Sequence, residues 1–254
     1  MSLPPDARST YVSFDPPENE PRARKHRLVR EVKRVIEVVA HLDANRADPD
    51  VVAEATDAAR ALAELLDGQP SLLATGGLGA QAGPQGSLLE RSGISGRSNP
   101  LAPPVQWTVG DDGTHGSAVY SRAYEGPIGH VHGGFVAAAF DDLMGAAQVA
   151  SGSAGYTGTL TVKMVRPTPL ERRIDYEAHV DHVAGRKIWV RATSRCDGDL
   201  LAEASIVFIA PRDGSRPRRV SRRAASGARR RRRPRGRSAP PRASRCVRTP
   251  GRSP

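Results

Sequence analysis

Cysteine is nearly absent from this chain: there are two, Cys196 and Cys246, in 254 residues. They form neither a metal-ligand spacing nor a disulfide framework, which suits a reducing cytoplasm. Aromatic residues are scarce at 4%, and hydrophobic residues reach only 38% beside 25 Gly and 21 Pro. That composition supports one moderate core, with part of the chain left outside it. No apolar run approaches the roughly 20 residues needed to span a bilayer, so no membrane insertion is expected. The N-terminus, with Pro4, Pro5, Asp6 and Arg8, has no apolar stretch of signal-peptide type. The expected setting is cytoplasmic.

Beyond Pro211 the chain has no lysine and a single acidic residue, Asp213, but 17 arginines. The tail therefore carries a net +16, and the rest of the chain −5, against a total of +11. The basic balance belongs to residues 212–254, whose Arg, Pro, Ser, Ala and Gly cannot bury a core and are expected to be disordered. An anionic contact, with nucleic acid or a membrane surface, is one reading of the five arginines Arg229 to Arg233. The other is a non-selected extension.

Residues 1–24 are interrupted by Pro4, Pro5, Pro16, Pro17 and Pro21 and read as irregular. From Lys25, the positions Leu28, Val32, Val35, Ile36, Val39 and Leu42 recur at spacings of three and four, the apolar face of a helix. After a turn, Asp48 is a candidate N-cap with Pro49 at the first helical position. Val51, Val52, Ala55, Ala58, Leu62, Leu65 and Leu66 then mark a second helix ending near Gly68. The pair, 25–67, is expected to be a helical hairpin packed on a neighbouring domain or a second subunit. A DNA-reading helix-turn-helix is disfavoured, because the second helix carries Asp50, Glu54, Asp57 and Glu64 and would repel phosphate. Residues 68–98 read as a linker or long loop.

Short strands are expected at 105–109 and 117–124, then an apolar, alanine-rich helix over 135–150, apolar nearly all round and so buried. Four strands follow, at 158–166, 173–183, 187–196 and 200–210, separated by turns with Pro167, Pro169, Gly185 and Gly198. In the last, Ala202, Ala204, Ile206 and Phe208 alternate with Glu203, Ser205, Val207 and Ile209. The fold class is α+β, one central helix held by an antiparallel sheet.

Asp141 and Asp142 lie in the middle of that apolar helix. A buried carboxylate costs several kcal/mol in desolvation unless it is paired or hydrogen-bonded. Each is either a catalytic base or nucleophile or a structural group at a contact, and spacing alone does not separate the two. The helix is entered through Gly129-His130-Val131-His132-Gly133-Gly134. Paired glycines at a helix start let a ligand approach the free N–H groups and the positive end of the helix dipole, an oxyanion site. From His132 to Asp141 is nine residues, roughly 13 Å of helix. One chain's helix start and its own Asp141 cannot readily act on one carbonyl carbon. Two such helices, antiparallel across a two-fold axis, would bring them together, which predicts a homodimer with two shared sites.

The run from Gly129 through Ala138-Ala139-Phe140-Asp141-Asp142 to Gly145 resembles the signature of hotdog-fold acyl-CoA thioesterases, in particular the phenylacetate-pathway (PaaI-type) branch. The resemblance continues through residues 157–163, Arg166-Pro167-Thr168-Pro169-Leu170, Gly185-Arg186-Lys187 and Ala202-Glu203-Ala204. It implies a hotdog fold over 99–211, with acyl-CoA as substrate and no metal or cofactor. It further implies that Asp141 activates water against the thioester carbonyl, or attacks it directly. Gly133 and Gly134 would hold the oxyanion, His132 would place the thioester, and Thr157 would assist the attacking group. Arg166, Gly185, Arg186 and Lys187 match regions that contact the CoA nucleotide. His130, His179 and His182 receive no role. A non-catalytic acyl-CoA-sensing regulator, and a dehydratase or hydratase, are the competing functions on the same fold; the helix-borne Asp after His-Gly-Gly argues against the last. Dimers could further pair into tetramers.

Overall fold

The computed structural model describes residues 19–71, 88–110, 113–150 and 155–212. Most of the expected irregular N-terminus, much of the 68–98 loop and nearly all of the Arg-rich tail lie outside the described residues.

Helix α1 spans Glu20–Ala40, five residues earlier than the periodicity suggested. Asn19 caps it, its side chain accepting from the Arg22 N–H at 3.0 Å. Pro21 falls in the first turn, where its missing donor costs nothing, so the proline that marked irregular chain belongs to a helix start. Helix α2 spans Pro49–Asp67, and the Asp48 carboxylate accepts from the N–H groups of Asp50 and Val51. The two helices differ in what they bury. Helix α1 buries Arg22, His26 and Val29, whereas α2 buries none of its residues.

A short helical turn, α3, spans Leu88–Arg91. From here to Ala102 the chain is packed rather than a spacer: Glu90, Ser92, Ser95 and Ala102 are buried. The strands are β1 (Val105–Val109), β2 (Thr114–Val119), β3 (Tyr156–Met164), β4 (Arg173–Ala184), β5 (Lys187–Cys196) and β6 (Asp199–Ile209). Helix α4 spans Gly133–Ala150, between β2 and β3. All pairings are antiparallel, in the order β1-β2-β4-β5-β6-β3. The two edges are thus β1 and β3.

The expected second strand ends at Val119, because Arg122–Tyr124 turn into a 3-10 helix. The alternation in β4, β5 and β6 sets one face of the sheet against α4: Ile174, Tyr176, Ala178, Val190, Ala192, Ala204, Ile206 and Phe208 meet Val136, Phe140, Leu143 and Met144 in one core. Rings tie the layers together, with Tyr176 edge-on to both Phe140 and Trp107. The opposite face of the sheet is polar and forms a groove of about 570 Å³ lined by Lys163, Glu177, His179, Arg191 and Glu203. This is the layout expected from the sequence: an α+β hotdog architecture, a single helix gripped by an antiparallel sheet.

Candidate active site

The helix entry is fixed from below. The His132 N–H donates to the Tyr124 carbonyl at 2.9 Å, and Val131 N–H to the Thr168 carbonyl at 2.8 Å. Gly126 lies so close to the His132 backbone that a Cβ there would come within 2.7 Å of its Cα. The His132 ring folds back over the first turn, where Nδ1 accepts from the Gly134 N–H at 3.0 Å. A Cβ on Gly134 would meet that ring at 3.0 Å, so glycine makes room for the imidazole. Nδ1 as acceptor leaves the ring proton on Nε2 in the neutral form. The Gly134 N–H is thus engaged by His132, while Gly133, the first residue of the helix, has no intrahelical acceptor for its own N–H. His132, Gly133 and Gly134 are all exposed.

Two turns along α4, Asp141 is half-buried and reaches β3. Its Oδ1 accepts from the Thr157 hydroxyl at 2.8 Å. The sequence separation of 16 residues is bridged because β3 is the edge strand flanking the helix. A β-bulge between Thr157 and Thr159 breaks the alternation at this point. The carboxylate and hydroxyl therefore form a pair within one chain. By contrast, Gly133 lies toward the far end of β3: a Cβ there would be 3.6 Å from the Met164 methyl. The glycine turn and the Asp141–Thr157 pair stand at opposite ends of the same exposed edge.

Asp142 was not separable from Asp141 in the sequence, and here the two take different roles. Its carboxylate accepts from the Ser92 hydroxyl at 3.2 Å, from Trp107 Nε1 at 3.1 Å and from the Ser95 hydroxyl. Burial pushes its pKa up, further helped by the charge of Asp141, against the three hydrogen bonds that pull it down. Ser92 and Ser95 had no motif to mark them. The signal was the second acid itself, which in an apolar helix required donors from elsewhere.

The four residues matched to CoA contacts do not cluster within one chain. Gly185 takes the left-handed conformation (φ +59°) that the tight β4–β5 turn requires. Arg186 Nε donates to the Ala210 carbonyl at 2.7 Å, and Lys187 pairs with Ile209, which in turn pairs with Tyr156. This turn therefore belongs to the Thr157 end of the sheet. Arg166 follows the other end of β3 and donates to the Leu200 carbonyl at 3.0 Å. His130 folds its Nδ1 toward the Ile128 carbonyl, and His182 stacks on Trp189 with centroids 4.2 Å apart. Among the described residues, no helix is long and apolar enough to cross a membrane.

No family model matches the chain. Over 87 residues it is 34% identical to the acyl-coenzyme A thioesterase THEM4 of Xenopus laevis. That match covers 34% of this chain and spans 39% of the relative's own length. Among solved structures, a crystal structure described as a thioesterase superfamily protein superposes with a TM-score of 0.62 at 25% identity, covering 77% of this chain and 97% of that one. A thioesterase protein of Streptococcus pneumoniae solved with coenzyme A aligns over 41% of this chain and 86% of its own, with 13% identity and a TM-score of 0.40. The strand order, the central helix and the superposition on the first of these structures agree with one another: the chain has a hotdog fold and is similar to thioesterase superfamily proteins.

Proposed function

We propose that the protein is an acyl-CoA thioesterase, hydrolysing the thioester of a fatty or aryl acyl-CoA to the free acid and CoA. The observation that carries this reading is the Thr157 hydroxyl held at 2.8 Å on the Asp141 carboxylate, on an open edge of the sheet. One carboxylate oxygen is held by Thr157, which leaves the second for water. As general base, Asp141 takes a proton from that water while its oxygen attacks the thioester carbonyl. The C–S bond then breaks, and the proton passes to the departing CoA thiolate. As nucleophile, Asp141 instead forms a mixed anhydride that water opens. Either route develops negative charge on the carbonyl oxygen, where the Gly133 N–H and the dipole of α4 favour it. The Gly134 N–H joins only if the His132 ring turns away, so His132 sets both the entry geometry and the number of donors.

A homodimer completes this site. Strand β3 is an edge strand with Tyr156, Thr157, Gly158, Thr159, Thr161, Lys163 and Met164 exposed, and an unpaired edge of that length seeks a partner. If two β3 edges pair antiparallel about a two-fold near Leu160 and Thr161, Thr157 of one chain lies opposite the partner's Met164. That brings Asp141 of one chain to the partner's Gly133. The same operation carries the partner's Arg166 toward the Gly155 end of β3, two strands from Arg186 and Lys187. At about 4.8 Å per strand the three cations come within about 10–15 Å, a span suited to the phosphates of a nucleotide. The CoA role of Arg166, Arg186 and Lys187 thus rests on the same dimer.

The test is thiol release from a panel of acyl-CoAs of increasing chain length, aryl acyl-CoAs included. Wild type is expected to turn over at least one, and Asp141→Asn to lose about a hundredfold or more in kcat. Wild type that binds acyl-CoA in calorimetry yet releases no CoA would make the protein an acyl-CoA sensor instead. Full activity in Asp141→Asn would remove Asp141 from the chemistry.

A further inference from the structure

The second acid of α4 does no chemistry in the site described, yet three side chains donate hydrogen bonds to it. Its partners come from the segment 88–98, which is not part of the sheet, and from the indole of Trp107 on the edge strand β1. That segment has an internal structure of its own. The Ser98 N–H donates to the Glu90 carbonyl at 2.8 Å and Gly96 N–H to the Ser92 carbonyl at 3.0 Å. A Cβ on Gly96 would come within 2.3 Å of the Ser92 oxygen, so the turn requires glycine. Ser92 Oγ accepts from the N–H groups of Ile94 and Ser95 at 3.0 and 3.3 Å. With its lone pairs taken, its proton is directed at Asp142. The base of the segment is held by Glu90, fully buried, which receives the Ser98 hydroxyl and His26 Nε2 at 2.9 Å, with Arg97 at 3.5 Å. His26 belongs to α1. A continuous chain of polar bonds thus runs from the N-terminal helix through the strap 88–98 to the helix that carries Asp141.

The geometry of α4 explains what such a strap does. Successive helical residues are about 100° apart, so Asp141 faces Thr157 while Asp142 faces the strap and Trp107. The buried face of the helix packs through Val136, Phe140, Leu143 and Met144 and several alanines, apolar contacts that are non-directional and supply no hydrogen bond to fix the rotation finely. Side-chain groups lie about 5–6 Å from a helix axis, so a rotation of about 10° displaces them by about 1 Å. Such a displacement would break the Asp141–Thr157 bond, and a misplacement of that size costs up to about a hundredfold in rate.

We propose that Asp142 is a positioning residue for the reaction: held by Ser92, Ser95 and Trp107, it locks the rotation of α4 and so places Asp141 on Thr157 for attack. This rests on the thioesterase reading of the same site. The role is one of hydrogen-bond geometry, not of charge. Asp142→Asn keeps an acceptor toward Ser95 and Trp107, whereas Asp142→Ala keeps none.

The full chain is assayed for thiol release with whichever acyl-CoA the wild type turns over fastest. Asp142→Asn is expected within about threefold of wild type, and Asp142→Ala ten- to a hundredfold lower in kcat with KM within about twofold. Ser95→Ala, which deletes one donor and leaves the turn of the strap intact, should fall between them and carries the test if Asp142→Ala does not fold. Combined with Thr157→Ala, the loss from either variant should be smaller than the product of the single losses, because both act through one bond. A purely structural role would give the full product. The proposal is overturned if folded Asp142→Ala, or Ser95→Ala in its place, keeps the wild-type kcat. Equal losses in Asp142→Asn and Asp142→Ala would also overturn it. A wild type that releases no CoA from any substrate refutes the thioesterase reading itself, and the positioning role with it.

Discussion

Two acids, Glu90 fully buried and Asp142 largely enclosed, are shifted in opposite senses because their surroundings differ in kind. For Asp142, burial outweighs three hydrogen bonds, none of them from a cation, and its pKa lies above the usual carboxylate range. For Glu90, burial also pushes upward, but the hydrogen bonds of Ser98 and His26 and the charges of His26 and Arg97 outweigh it, holding the carboxylate low. A raised carboxylate pKa means that the folded state binds its proton more tightly than the unfolded chain does. The stability that Asp142 contributes is therefore fully present below the unfolded value and is lost as pH rises through the folded one. Glu90 behaves inversely: its contribution is present above the unfolded value and is lost as pH falls through its lowered folded value. Thermal unfolding from pH 7 downward checks both. Relative to Asp142→Asn, wild type should gain Tm as pH falls into the range just above ordinary carboxylate values. Relative to Glu90→Gln, it should lose Tm on further acidification. The opposite slope in either comparison would contradict the assigned environment.

At the scale of elements, apolar periodicity located α1, α2, α4 and most strands, but it did not say what each face would meet. Phe140 and Leu65 look alike in sequence, each an apolar residue in a helix. Phe140 is fully buried against Tyr176, whereas Leu65 on α2 is 68% exposed. Phe140→Ala should cost about 3–5 kcal/mol, through lost burial and the cavity left behind. Leu65→Ala should cost no more than about 0.5 kcal/mol in the isolated chain. Urea titration of the two variants separates them. The site divides along the same line. The His132-Gly133-Gly134 entry was legible because its chemistry is written in adjacent residues, whereas Asp141 was singled out from Asp142 only by the family resemblance. Thr157 was legible only through the family resemblance, and Ser92, Ser95 and Trp107 not at all, since their meeting with Asp142 depends on tertiary approach across 35 to 50 residues. The start of α1 was missed for a different reason: Pro21 breaks a helix interior but is accommodated in a first turn, and periodicity cannot distinguish the two positions.

At the scale of the whole molecule, the decisive fact is that the glycine turn and the Asp141–Thr157 pair sit at opposite ends of one open strand. From Gly133 to Asp141 the helix advances about 12 Å, too far for both to serve a single thioester carbon. If both serve one thioester, as proposed above, an active unit needs two chains, each contributing one half to each of two equivalent sites. This has a consequence that no single-chain site shares. Asp141→Asn destroys the carboxylate of both sites in its homodimer but leaves both glycine turns intact. Gly133→Val should crowd both turns and leave both carboxylates. Each homodimer is expected to be nearly inactive. After the two inactive proteins are mixed and their subunits exchange, a heterodimer has one site with both lesions and one with neither. If exchange is random, half of the dimers are heterodimers, and half of their sites are intact, so about a quarter of the wild-type rate should return. Activity recovered in proportion to heterodimer content, followed by native mass spectrometry of differently tagged chains, would establish the shared site. Heterodimers that form and remain inactive would place both halves of the chemistry within one chain, and the pairing of β3 edges would then need a different two-fold.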